Sequence, residues 1–430
     1  MNLRDKKVAV LGGTRISCEI VRAAKELGMR TAVLDYYPPH KSPAKLIADE
    51  NAQVSVADAE QVAAYVREHG VDGLITGYTD SILGMYADAC DAAGLPCYGD
   101  RALFELFTDK ARWKKLCMEY GVPTAVRFEP QDCALESHLP VLVKPADGSG
   151  SRGVGVVRQL GELEPAVERA RSFSKSGKVI VEEYLEGPEV TVFWVFIDGR
   201  YEVYMMGDRV VKPVPGGKVP LPVGYLFPSP ATPRYLEDVA PRVKEMLGAV
   251  GIRNGMMFMQ CVLKDGVPHV YDIGYRLTGS LEHHLTKAAA DFSPMDMLLN
   301  FSVSGTMTND PDVFSKIEAA RRASAINVSV LMRPGIIGRI EGLGEAESVP
   351  GVVAVVPAHV EGECLPEEAV GELRQIAVRA LGVGASSDDL TRIAFAVQKA
   401  VKIVSVDGRD LTLPGFMPED LLPGGGERYA

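Results

Sequence analysis

Val141-Leu-Val-Lys-Pro-Ala-Asp-Gly-Ser-Gly-Ser-Arg-Gly-Val-Gly-Val-Val157 reads as an apolar strand, a polar glycine-dense connection and a second apolar strand. Valines dominate both arms, and Lys144 closes the first. Gly148, Gly150 and Gly153 tolerate positive φ, so backbone N–H groups can crowd about an anion. Ser149 and Ser151 add hydroxyl donors and Arg152 adds charge. The stretch lacks the G-x-x-x-x-G-K-[ST] spacing and joins two strands instead of opening a helix, which excludes a Walker-type loop and argues against a Rossmann phosphate turn. Taken alone, an ordinary hairpin with a polar tip is the more economical reading.

Working outward, residues 163–174 predict a helix. Val179-Ile-Val-Glu-Glu-Tyr-Leu-Glu-Gly-Pro-Glu-Val-Thr-Val192 then predicts a strand running into acids, a turn at Gly187-Pro188 and a further strand. An anion-cradling loop followed by a strand that ends in acidic and backbone donors suits a nucleotide. The loop and lysine would hold phosphates, and the strand end would read base and ribose.

Upstream, Lys7-Val-Ala-Val-Leu-Gly-Gly13 is a buried strand ending in two glycines, followed by a helix over 16–27 and a strand over 31–34. Further helices over 59–70 and 81–93 and strands over 73–76 and 95–98 predict a small doubly wound parallel sheet. Ligands bind at the C-terminal strand ends of such sheets, which singles out Gly12, Thr14, Arg15, Asp35, Thr76, Tyr78 and Asp80, each equally readable as a cap or turn residue. The dinucleotide fingerprint G-x-G-x-x-G is absent, which disfavours a dehydrogenase. A helix capped by Thr108 or Asp109 and stopped by Gly121 carries Lys110 in a basic cluster that reads as a solvated face.

Downstream, strands over 193–197 and 201–205 precede a Pro/Gly-rich loop over 212–233, a lid or linker, and a helix over 233–247. Strands over 255–263 and 268–274 form a hairpin that can bring Gln260 and Asp272 to one face, where oxygen ligands suit Mg2+. Arg276 follows. Glu282, His283 and His284 open a helix, and the adjacent histidines read as helix-surface residues. The last third predicts strands over 325–333, 335–340, 349–356 and 401–406 with helices over 366–381 and 386–400, a smaller α+β unit.

At 430 residues, two or three domains are expected. Apolar residues make up 47%, and the net charge of −11 argues against a nucleic-acid or anionic-membrane surface. No run approaches a membrane span, the N-terminus shows no signal-peptide core, and seven scattered cysteines without a C-x-x-C pair point to reduced thiols in a cytoplasm.

In order along the chain, Lys110 after Thr-Asp, Lys144-Pro145, the 148–155 loop, Glu182-Glu-Tyr-Leu-Glu-Gly-Pro-Glu189, and Gln260 with Asp272-Ile-Gly-Tyr-Arg276 together resemble an ATP-grasp ligase. Residues 1–105, notably Leu34-Asp-Tyr-Tyr-Pro and Ser42-Pro-Ala-Lys-Leu-Ile-Ala-Asp-Glu50, resemble the first domain of carboxyaminoimidazole ribonucleotide synthetases. Residues 325–365, with Arg333-Pro-Gly-Ile-Ile-Gly-Arg-Ile-Glu-Gly342, resemble the C-terminal domain of bacterial L-amino acid ligases. Proteins labelled carbamoyl-phosphate synthase large-subunit-like or glycinamide ribonucleotide synthetase-like are similar too.

The resemblance implies a multidomain α/β and α+β fold. Residues 1–106 would be a pre-ATP-grasp parallel sheet, 107–315 an ATP-grasp domain with antiparallel sheets, and 320–430 a small α+β domain. Lys110 and Lys144 would contact the ATP phosphates, and Ser149, Gly150, Ser151 and Gly153 would form the flap over them. Glu182 would accept from the adenine amino group, the backbone of Glu183 and Leu185 would pair with the ring, and Tyr184 belongs to the same segment. Glu189 would hold the ribose. Gln260 and Asp272 would sit at the metal positions for Mg2+, or Mn2+ in its place, and Arg276 beside the transferring phosphate, a catalytic role shared with Lys144.

The family pattern is Glu, Glu and Asn at the metal. Here Gln260, Asp272 and Gly274 stand instead, with Glu282 a possible substitute ligand. The implied activity is ADP-forming carboxylate–amine ligation through an acyl phosphate, on a small carboxylate such as an amino acid, in a cytoplasmic homodimer. The rivals are an ATP-binding regulatory protein with a weakened metal site and a biotin-carboxylase-like component.

Overall fold

The structure is a computed structural model, describing residues 3–128, 135–147, 153–214 and 219–421. The first strand, β1 (Lys7–Leu11), is buried along its whole length, as a parallel strand covered on both faces must be. It pairs in parallel with β2 (Arg30–Leu34) and β4 (Gly73–Ile75), and β2 with β3 (Glu50–Ala52), in the order β3-β2-β1-β4. Helices α1 (Cys18–Glu26), α2 (Ala59–His69) and α3 (Leu83–Ala93) cover this sheet. The expected strand over 95–98 does not form. Tyr98 leaves any sheet edge and packs its ring edge-on against Phe104 and Tyr275.

Two helices lead out of this layer. α4 (Arg101–Thr108) was not foreseen, although Asp100 caps it by accepting from Leu103 N–H. α5 (Lys110–Glu119) starts at once, because the Asp109 carboxylate accepts from the N–H groups of Ala111 and Arg112. A second, antiparallel sheet runs β5 (Arg127–Phe128), β8 (Val179–Glu183), β6 (Val141–Pro145), β7 (Gly155–Val157), with α6 (Leu163–Phe173) against it. The β6–β7 hairpin forms as expected, with Val141 opposite Val157. This lobe has a small core of its own, made by Val141, Val143, Val157, Val167, Ala170 and Val181.

The large sheet starts at β9 (Glu189–Ile197) and β10 (Arg200–Lys212). The expected lid or linker over 212–233 instead contains β11 (Leu221–Phe227), antiparallel to β10. Pro222 is accommodated where the register shifts between Val210 and Val211, the kind of irregularity where a strand tolerates proline. Short α7 (Thr232–Arg234) continues through a π turn (Tyr235–Val239) into α8 (Ala240–Ala249). Then come β12 (Gly255–Lys264), β13 (Val267–Gly274), α9 (His283–Ala290), α10 (Pro294–Ser304) and α11 (Val313–Arg321).

The chain re-enters the same sheet as β14 (Ala325–Met332), beside β11. It continues with β15 (Gly335–Glu341), α12 (Leu343–Glu347), β16 (Val352–Pro357), β17 (Cys364–Leu365), β18 (Ile376–Val383), α13 (Ser387–Ala400), β19 (Lys402–Ser405) and β20 (Thr412–Leu413). The helix expected over 366–381 is two single turns followed by β18. Its Ile-Ala-Val-Arg-Ala-Leu run is claimed by the neighbours β14 and β16. The large sheet therefore reads β13-β12-β9-β10-β11-β14-β18-β16 and crosses from the central region into the last third without a break. Among the described residues no helix is long and apolar enough to cross a membrane.

Candidate active site

Lys110 and Lys114 lie one turn apart on α5, so both face the cleft between the lobe and the large sheet. Lys110 Nζ is 3.1 Å from Asp272 Oδ1. Lys114 and Lys144 both ion-pair with the Glu182 carboxylate, Lys144 at 2.6 Å, and these three side chains are almost wholly buried. One carboxylate thus answers two cations. Burial, with repulsion from Lys114 and Lys110, pulls the Lys144 ammonium down to about 7 in spite of Glu182. Burial opposes charge on Glu182 too, but the two lysines hold its carboxyl below the usual range.

Lys114 escaped the sequence reading, which assigned the α5 basic cluster to solvent. The available signal was its spacing of four from Lys110. Glu182, expected to face a base, instead spends its carboxylate on the lysines. Glu183 is likewise engaged: its N–H donates to Val126 O, and its carboxylate pairs with Lys264 at 2.6 Å. The Leu185 N–H has no backbone partner among the described residues. The Tyr184 ring lies 5.7 Å from the Arg158 guanidinium. Glu189 opens β9 and pairs with Arg209 and with the Tyr271 hydroxyl, the latter at 2.8 Å. Gly153 sits against Phe173 of α6. Ser149, Gly150 and Ser151 lie outside the described residues.

Gln260 and Asp272 are direct cross-strand partners in β12 and β13, so their side chains share a face. Burial works against charge on Asp272, but Lys110 and Lys144 hold its carboxyl below the usual range. The absent third ligand has a physical cause. A Cβ at Gly274 would lie 2.2 Å from the Phe258 ring, so that ring fills the space a longer residue would need. The Arg276 guanidinium lies 5.1 Å from the centre of the same ring. The donor set left, one carboxylate and one amide oxygen, fits a single Mg2+ that keeps waters and shares phosphate oxygens. It does not fit two ions.

Arg276 is gripped by Asp80 through two parallel bonds, Nε to Oδ1 at 2.6 Å and Nη2 to Oδ2 at 2.7 Å. Asp80 was expected as a helix cap and makes no such bond; it ties the parallel-sheet layer to β13 instead. The neighbouring Tyr78 is half-buried with a left-handed φ of 68°. Glu282 is buried, accepts from Ser280 Oγ at 2.7 Å and lies near Thr278 and Tyr204 hydroxyls. Burial raises its pKa, which leaves it poorly suited to replace a metal carboxylate. The turn after β1, one of the strand ends singled out for a ligand, is filled from within: Gly13 N–H donates to Asp35 Oδ2 at 2.7 Å, and a Cβ at Gly13 would lie 1.8 Å from Ser42 Oγ. Arg15 pairs with Glu363 at 2.7 Å.

A lysine-lined cleft between a small antiparallel lobe and a larger antiparallel sheet, with facing oxygen donors on a hairpin, is the architecture of the ATP-grasp fold. Residues 123–213 match the family model described as the D-ala D-ala ligase C-terminus. The chain is 30% identical over 254 residues to phosphoribosylamine–glycine ligase of Vibrio vulnificus, covering 53% of this chain and 58% of that one. It spans about half the length of the curated relatives it matches. Among solved structures, the L-amino acid ligase from Bacillus licheniformis superposes with a TM-score of 0.73 at 21% identity, over 94% of this chain and 99% of that one. The biotin carboxylase domain of 2-oxoglutarate carboxylase from Hydrogenobacter thermophilus, in complex with MgADP and bicarbonate, gives 0.73 at 21% identity over 95% and 91%.

Proposed function

We propose that this protein is an ATP-dependent, ADP-forming carboxylate–amine ligase acting on a small carboxylate such as an amino acid, organised as units over 1–106, 107–315 and 320–430. The observation that carries the reading is the convergence of Lys110, Lys144, Asp272 and Gln260 on one cleft. The substrate carboxylate oxygen attacks the γ-phosphorus of ATP, the bond to the β–γ bridging oxygen breaks, and ADP leaves with that electron pair. The amine then attacks the acyl carbon of the acyl phosphate, phosphate departs, and the amine proton passes to solvent or phosphate.

Lys110 and Lys144 bind and orient the phosphates, and Arg276, held rigid by Asp80, faces the transferring group. Leu185 N–H pairs with the base. Mg2+ at Asp272 and Gln260 would neutralise phosphoryl charge when bound. Similarity to an L-amino acid ligase and a phosphoribosylamine–glycine ligase supports this class. A homodimer agrees with the dimer that the Hydrogenobacter thermophilus biotin carboxylase domain forms, and a cytoplasmic location belongs to the same proposal.

A second reading, an ATP-binding regulatory protein, is favoured by the Phe258 ring standing where a third metal ligand would be. The deciding experiment is ADP release with ATP and Mg2+, screened against amino acids and small carboxylates with amines. Release that needs one acid and one amine, and is abolished in Lys144→Ala, establishes the ligase. ATP binding without stimulated turnover in any pool, unchanged by Gln260→Glu, favours the regulator.

A further inference from the structure

Outside the nucleotide cleft, Glu19 of α1 meets His283 and His284 at the start of α9, and one ligand atom of each lies within 4.8 Å of the others. His284 Nε2 is 2.9 Å from Glu19 Oε2, while Arg22 takes the other carboxylate oxygen. Glu19 and His283 are buried, at 5% and 4% exposure. The expectation of two surface histidines therefore fails for His283. The N-terminal turn of α9 reaches α1 through the His284–Glu19 contact, and the two imidazoles lie with ring centres 4.3 Å apart.

His283 makes no hydrogen bond through either ring nitrogen among the described residues, and its Nδ1 is wholly shielded from solvent. A buried imidazole left without a partner is costly unless something absent from the protein chain satisfies it. Tyr78 adds a second unsatisfied polar atom, its hydroxyl, in the field of Glu19.

We infer that Glu19, His283 and His284 form a binding site for a transition-metal dication of the Zn2+ type, joining the parallel-sheet layer to α9. Two imidazoles and one carboxylate are a donor set that Zn2+ takes at about 2.0–2.2 Å, with a fourth position left to water. Such an ion needs its ligand atoms roughly 3.3 Å apart. The partly exposed His284 has the freedom to close that gap. The set is chemically distinct from the oxygen donors Gln260 and Asp272, and Mg2+ prefers the latter.

The test strips the full-length protein with a chelator and titrates it with Zn2+ alone in excess Mg2+. Bound metal is counted after desalting, and Co2+ absorption reports coordination. Expected are one tightly held Zn2+ per chain, a visible Co2+ band, and affinity at least ~100-fold weaker in His284→Ala and in Glu19→Gln. Both variants leave the buried His283 ring in place, so folding, checked by circular dichroism, is preserved. Failure of the wild-type chain to retain Zn2+, or equal retention by both variants, overturns the assignment.

Discussion

Lys144 should take up a proton when MgADP binds. Its ammonium sits at 6% exposure beside a carboxylate already shared with Lys114, and burial pulls it down to about 7. Relative to an ordinary lysine this is roughly 5 kcal/mol of preference for the neutral amine. In the free protein about 0.9 of Lys144 is then neutral at pH 8 and about 0.1 at pH 6. Phosphates against Nζ restore the charge. The expected uptake attributable to Lys144 is therefore close to one proton at pH 8 and near zero at pH 6. Between pH 7 and the unfolded-chain value the folded protein binds fewer protons at this group, so its contribution to stability rises with pH across that window. The assay is calorimetric titration in buffers of different ionisation enthalpy, comparing wild type with Lys144→Arg, whose guanidinium stays charged throughout. An identical proton count for both proteins at pH 8 would refute the argument.

Three further outcomes follow from the same geometry. Lys114→Met removes one of the two cations on Glu182, so Lys144 is expected to titrate higher and the pH 8 uptake to shrink. The same calorimetry reads this, and an unchanged uptake counts against the shared carboxylate. Asp80→Ala leaves the Arg276 guanidinium without its fork. With both side chains partly exposed the cost is expected at about 3 kcal/mol or less in urea unfolding, with a fall in kcat/KM for ADP release. Gly274→Ala drives a methyl into the Phe258 ring and should destabilise by about 1–3 kcal/mol, and a neutral melt would mean that the ring yields freely.

The parts of the site legible in sequence were those written in strand period and turn chemistry. The β6–β7 hairpin around Lys144 and the β12–β13 hairpin that aligns Gln260 with Asp272 both follow from alternation between glycine turns. The parts that were not legible depend on distant partners. Lys114 looks like a solvated helix residue until Glu182, 68 positions away, is placed on it. Residues 376–383 form a strand because β14 and β16 flank them, a condition no local window contains. His283 reads as surface by helical spacing, and only the tertiary packing of α9 against distant elements buries it.

The small lobe has a core separate from that of the large sheet. Glu182 belongs to the lobe and Lys114 to the body, so their ion pair works as a latch across the cleft. Lys144, on the lobe, competes for the same carboxylate. The hold between lobe and body thus rests on one buried carboxylate whose two oxygens serve different lysines, Lys114 across the cleft and Lys144 within the lobe.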